Sequence, residues 1–142
     1  MTKLKICGVK YLEDVKFLNE LNVDYIGMIN EPNTPRYVDI EKIKEAINIS
    51  KTPIVLVKTS IKLNEIENMP NEYIQIHRVL NDQELDMLTT IDKKVILYVP
   101  ARLDYLNYLK KALKYTKFIL IDSLDKTSSS IDVLKTMLNE YR

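Results

Sequence analysis

Six short β-branched runs alternate with six segments of helical period, and no Pro/Gly/Ser-rich linker separates them. This pattern predicts an α/β fold built on a parallel sheet. The runs are nearly continuous in apolar residues, as strands buried on both faces are. A length of 142 residues suits one core, so residues 1–142 are expected to form a single domain.

The first run, LKICG, ends at Gly8, a natural turn residue, and YLEDVKFLNELN follows with Leu12, Val15, Phe17 and Leu18 read as one apolar side. DYIGMIN then ends at Asn30, and IEKIKEAINI repeats Ile at helical spacing. TPIVLVKT, ending at Thr59, precedes the short LNEIENM, which Pro70 stops. YIQIHRV from Tyr73 leads to ELDMLTTI, and KKVILYVP, ending at Pro100, to LDYLNYLKKALKYT. The last pair is KFILIDS, ending at Ser123, and SIDVLKTMLNEY.

Strict alternation leaves two architectures, an open doubly wound sheet and a curved sheet of the (βα) barrel type. Alternation of side chains along a strand sets Lys5 with Cys7, Gln75 with His77, and Phe118 and Leu120 with Asp122, each on one face. A doubly wound sheet wants both faces apolar, whereas a barrel interior accepts such polar groups near its rim. Parity therefore favours a partial TIM-barrel-like parallel sheet of six βα units.

The inventory excludes several functions. Lys+Arg 21 against Asp+Glu 20 gives a net charge of +1, which offers no electrostatic excess for nucleic acid or an anionic membrane. No apolar run approaches a membrane span, and the Lys-containing start lacks a signal peptide's apolar stretch, so a cytoplasmic protein is expected. One Cys and one His cannot make the usual zinc sites, and no metal is expected. Gly8 and Gly27, the only glycines, cannot write a dinucleotide fingerprint, a Walker loop or a nucleophile elbow.

Cys7 ends the first strand and Asp122 the sixth, at the strand ends where parallel α/β folds place their sites. A thiol and a carboxyl group there suit a general base and a general acid. Equally, Cys7 suits a small buried apolar position and Asp122 a helix cap. Arg36, in the loop NTPRYV, suits a bidentate grip on a carboxylate, or simple solvation. Lys5, Gln75 and His77 are candidate substrate-binding or structural residues of the polar face. The segment KTSSSID from Lys126 sets Ser128 and Ser129 before the last helix, where hydroxyls cap it or help hold a phosphate.

These residues resemble the phosphoribosylanthranilate isomerase family of tryptophan biosynthesis. The resemblance is carried by KICG at Lys5–Gly8, LEDV, DYIGMI around Gly27, PRYV at Pro35–Val38, IQIH at Ile74–His77 and LIDS at Leu120–Ser123, in family order and spacing. It implies a cofactor-free Amadori rearrangement of a phosphorylated small molecule, with Cys7 as general base, Asp122 as general acid and Arg36 on the anthranilate carboxylate. The alternative is a non-catalytic remnant serving as a binding or interaction module. Family members have eight βα units, so the sequence reads as a shortened member lacking the last two, with Thr127 to Ser130 standing in for part of the phosphate grip. Bare edges on strands one and six, and an open face wetting Leu56, Leu97 and Val99, lead to the expectation of a homodimer.

Overall fold

The computed structural model describes residues 2–122 and 131–141. The chain forms two compact units, Met1–Gln75 and Ile76–Arg142. The first contains β1 (Lys5–Cys7), α1 (Leu12–Glu20), β2 (Tyr25–Ile29), α2 (Ile40–Ile49), β3 (Ile54–Lys58), α3 (Leu63–Glu67) and most of β4 (Tyr73–Ile76). The second contains α4 (Asp82–Met87), β5 (Lys94–Pro100), α5 (Leu106–Ala112), β6 (Phe118–Asp122) and α6 (Ile131–Tyr141). The six strand and six helix segments read from the sequence each recur, most strands a residue or two shorter, α2 with the bounds read and α4 starting two residues earlier, at Asp82.

In the first unit the strands follow one another in sheet order as in sequence, with β1, β2 and β3 parallel. β3 is buried at every position, and β2 from Ile26 to Ile29, which is why their sequences carry no polar alternation. α2 begins where the Asp39 carboxylate accepts the Lys42 backbone N–H at 2.8 Å, and it buries Ile43 and Ala46. Just beyond α1, Asn22 has a φ of 56°, the left-handed conformation that Asn tolerates after a helix end. One expectation for α1 fails: Phe17 is 58% exposed. It lies about 200° round the helix from buried Val15, off the stripe that Val15 and Leu18 define.

In the second unit β5 and β6 pair in parallel, with Tyr98 opposite Leu120 and Pro100 opposite Asp122. The sequence suggested a longer helix before β6, but α5 stops at Ala112. Thr116 instead donates its hydroxyl to the Val95 carbonyl at 2.6 Å and accepts the Phe118 N–H, fixing the entry to β6.

The register also corrects the face assigned to three apolar residues. Leu56 pairs with Met28, one position beyond the Gly27–Val55 pair that shares the face of Cys7, so it points the other way. Leu97 and Val99 likewise alternate with Tyr98 and Pro100, which pair into the face of Asp122. All three are buried, at 1%, 0% and 0% exposure, so they supply no wetted face for a second copy to cover. No helix among the described residues is long and apolar enough to cross a membrane.

α4 starts with a capping box: Asn81 accepts the Glu84 N–H at 2.9 Å, and the Glu84 carboxylate accepts the Asn81 N–H at 3.0 Å. Arg78 also grips that carboxylate. Its hydrogen bond, followed by the Asn81 N–H, holds Glu84 below the usual carboxylate range. Asn81→Ala is expected to cost about 1 kcal/mol in urea unfolding. Because the folded-state value is the lower one, Glu84 contributes its stability above the ordinary range near about pH 4.3 and loses it as pH falls through its depressed value. Glu84→Gln should flatten this acid-side loss, read from melting temperature against pH.

Candidate active site

Cys7 is the last residue of β1 and is exposed, so the reading of it as a small core hydrophobe is excluded. It opens onto a cleft of ≈ 340 Å³ whose lining includes Ile6, Gly8, Tyr11, Asp14 and Phe17. Cys7 is paired in register with Gly27, and a Cβ at position 27 would lie 2.8 Å from the Cys7 Sγ. Gly27 is thus what leaves room for the sulfur beside the neighbouring strand. The Gly27 carbonyl accepts both the Gly8 N–H at 3.0 Å and the Val9 N–H at 3.1 Å, which turns the chain sharply straight after the thiol.

Gly8 takes φ +82° at that turn, a conformation other residues rarely adopt. The Arg36 side chain lies against it: a Cβ on Gly8 would come within 2.7 Å of the Arg36 Cδ and 3.0 Å of its Cζ. The two glycines of the chain therefore do separate jobs, one seating the thiol and one seating a guanidinium next to it. Pro35 and Tyr37 flank Arg36 in a loop whose neck is a short parallel bridge, with the Val38 N–H on the Ile29 carbonyl at 2.7 Å. Lys10 reaches over to the Pro35 carbonyl at 3.1 Å.

Lys5, one layer deeper on the Cys7 face, donates to the Gln75 side-chain oxygen at 2.6 Å, and Gln75 is 1% exposed. These two candidates are brought together as a polar pair, with Gln75 buried and Lys5 half-buried. In the second unit, Asp122 ends β6 half-buried, and its backbone carbonyl accepts the Ala101 N–H at 2.8 Å. Tyr98 shares its face, and the Tyr98 phenol is raised first by burial and then by the Asp122 charge. His77 stacks on the Tyr98 ring, with centroids 4.3 Å apart and planes at 21°. Ser128 and Ser129 lie outside the described residues. Among the described residues no group of three or more His, Cys, Asp and Glu is placed to hold a metal ion.

Sequence reasoning passed over a second polar group in the first unit. Lys58 ends β3 at 5% exposure, and its Nζ donates to the Asn30 backbone carbonyl and to Asn30 Oδ1, both at 2.9 Å. Glu31 and Glu65 carboxylates lie 3.8 and 3.5 Å from it. The available signal was a lysine closing a wholly apolar strand, with Asn30 closing its neighbour.

Parallel βα units, with Cys7 and Asp122 each ending a strand, define the (βα) barrel class of fold. A family model described as N-(5'phosphoribosyl)anthranilate (PRA) isomerase matches residues 4–133. The N-(5'-phosphoribosyl)anthranilate isomerase of Saccharolobus solfataricus is 38% identical over 146 residues, and that of Sulfolobus acidocaldarius 34% over 143; each match covers 99% of this chain and 72% of the relative. Among solved structures, the phosphoribosylanthranilate isomerase of Thermotoga maritima has a TM-score of 0.81 at 22% identity, covering 100% of this chain and 73% of that one. The Pyrococcus furiosus enzyme has a TM-score of 0.71 at 26% identity, over 88% of this chain and 68% of that one. The chain belongs to the N-(5'-phosphoribosyl)anthranilate isomerase family.

Gly27→Ala is the sharpest test of how Cys7 is seated. The added methyl meets the sulfur, which can swing away, so the fold is expected to persist. On the general-base role proposed for Cys7 below, displacement of its sulfur by about 1 Å costs roughly 100-fold in rate, so turnover is expected to fall on that scale. Melting temperature and thiol-reagent kinetics on Cys7 check that stability is kept while the sulfur has moved.

Proposed function

We propose that the chain isomerises N-(5-phosphoribosyl)anthranilate to the carboxyphenylamino deoxyribulose phosphate, the Amadori step of tryptophan biosynthesis, with Cys7 as general base and Asp122 as general acid. The observation that carries the reading is the Cys7 thiol, open to solvent at a strand end, with the Arg36 guanidinium packed on the very next residue.

The chemistry asks for two proton transfers. Asp122 donates a proton to the furanose ring oxygen as the C1′–oxygen bond breaks, and the anilino nitrogen lone pair moves in to give an open-chain protonated Schiff base. Cys7 then takes the C2′ proton, and the electrons of that C–H bond flow to the iminium nitrogen to give an enolamine. Tautomerisation of the enolamine, with its C2′ hydroxyl becoming a carbonyl, yields the ketone product. No oxidant or reductant enters. Arg36 is suited to the anthranilate carboxylate, because a planar guanidinium matches a carboxylate with two parallel N–H donors. Lys5 and Gln75 lie on the Cys7 face, and His77 stacks on Tyr98, which shares the face of Asp122; all three are proposed to line the bound substrate or hold the groups that do. Ser128 and Ser129 are proposed for its phosphate. A structure of the family's isomerase, 22% identical to this chain, holds reduced 1-(o-carboxyphenylamino)-1-deoxyribulose 5-phosphate, a ligand carrying both a carboxylate and a phosphate.

Loss of anthranilate fluorescence follows the reaction directly. Wild type is expected to turn over, and Cys7→Ala and Asp122→Asn each to lose about 10²- to 10⁴-fold in kcat, the scale of general acid–base catalysis. Equal turnover in all three would remove the assigned roles, and no turnover in any would favour a non-catalytic binding module. We also propose a homodimer, on the exposed apolar side chains of Phe17 in α1 and of Tyr11 and Leu21 at its two ends and on the dimeric Thermotoga maritima relative. Sedimentation should give a species of twice 16.6 kDa that Phe17→Glu shifts to the monomer.

A further inference from the structure

We propose that Lys58 is a positioning residue for the Arg36 loop: its ammonium fixes Asn30, and Asn30 fixes the backbone at Val38, two residues beyond Arg36. The inference rests on the reading of Arg36 as the carboxylate grip and deepens it.

Lys58 has no route to the substrate of its own. Asn30 and Lys58 follow the paired Ile29 and Val57, so by alternation both point away from the face that carries Cys7 and Gly27. A buried ammonium must find partners for its three N–H groups. Two go to Asn30, at its carbonyl and its side-chain oxygen, which leaves the Asn30 amide NH₂ aimed outward. That group donates to the Val38 carbonyl at 2.9 Å and is itself buried. Val38 is then held from both sides, its carbonyl by Asn30 and its N–H by the Ile29 carbonyl. Glu31, the first residue of the loop, lies beside the same ammonium and also accepts the Thr59 N–H at 2.7 Å. Both ends of the loop from Glu31 to Val38 are therefore tied to the end of β3, and Arg36 rides between them. A neutral side chain at position 58 would leave the Asn30 amide free to rotate and the neck of the loop held by one hydrogen bond instead of two.

The test measures kcat and KM by fluorescence for wild type, Lys58→Met, Asn30→Asp, Arg36→Ala and the Lys58→Met/Arg36→Ala double variant, with hydrogen exchange at the Val38 amide. Asn30→Asp keeps acceptors for Lys58 and removes the donor to Val38, so it carries the test if Lys58→Met does not fold. Both single variants are expected to raise KM about tenfold with kcat within about twofold, the pattern of lost binding geometry with the chemistry kept. In the Arg36→Ala background Lys58→Met should add nothing to KM, and in its own background it should speed exchange at Val38 about tenfold or more. An undiminished KM effect without Arg36, or Val38 protected as in wild type, overturns the proposal. Arg36→Ala with a wild-type KM would instead overturn the carboxylate reading, and faster exchange in Lys58→Met would still report Lys58's hold on the loop.

Discussion

The pairing of β1 with β2 is the constraint from which the first unit's chemistry follows. Parallel strands set paired side chains on one face, so whatever stands at position 27 competes with Cys7 for the same volume. Glycine ends the competition and leaves the sulfur exposed. The same residue's carbonyl takes two successive N–H groups from the chain beyond Cys7, so β1 stops there and the backbone turns through a left-handed glycine. That turn presents a surface without a side chain, and Arg36 lies on it. Two missing Cβ atoms thus seat the thiol beside β2 and lay the Arg36 side chain on the residue that follows it.

One face of this sheet combines a hydrocarbon core with a polar end. Ile26, Met28 and Leu56 supply buried hydrocarbon at no polar cost, and on the same face, at the strand ends, Lys58 and Asn30 replace hydrocarbon with hydrogen bonds and two nearby carboxylates. An ion taken from water loses several kcal/mol of hydration, which buried pairing offsets only when every donor is satisfied. Such a group contributes little to net stability. What it supplies is attachment: Asn30, Glu31 and Val38 are each tied, directly or through Asn30, to the end of β3, and the loop between them carries Arg36, the residue proposed to grip the carboxylate.

Around Asp122 the second unit builds a different environment. The Tyr98 phenol is buried and sits in the field of the carboxylate, and both effects disfavour a phenolate. Tyr98 consequently keeps its proton across the biological range, and His77 stacks flat on its ring. Asp122 thus ends a strand whose neighbour sets the buried Tyr98 ring on the same face, one residue layer below the carboxylate.

Periodicity carried most of the fold, because apolar alternation and helical spacing are local properties that each segment displays without its partners. Strand ends were legible for the same reason: Gly8 and Pro100 interrupt their own segments, and from the strand ends the placement of Cys7 and Asp122 followed. Register is a property of two segments at once. Periodicity within TPIVLVKT cannot say that Leu56 meets Met28, that Gly27 clears space for a sulfur on another strand, or that Lys58 and Asn30 end up side by side. Phe17 is a different case, because its offset of about 200° from Val15 is local helix geometry that a list of apolar residues passes over. Tertiary structure decided the points of register because each depends on which surfaces exclude water together, and burial is settled by partners distant in the chain.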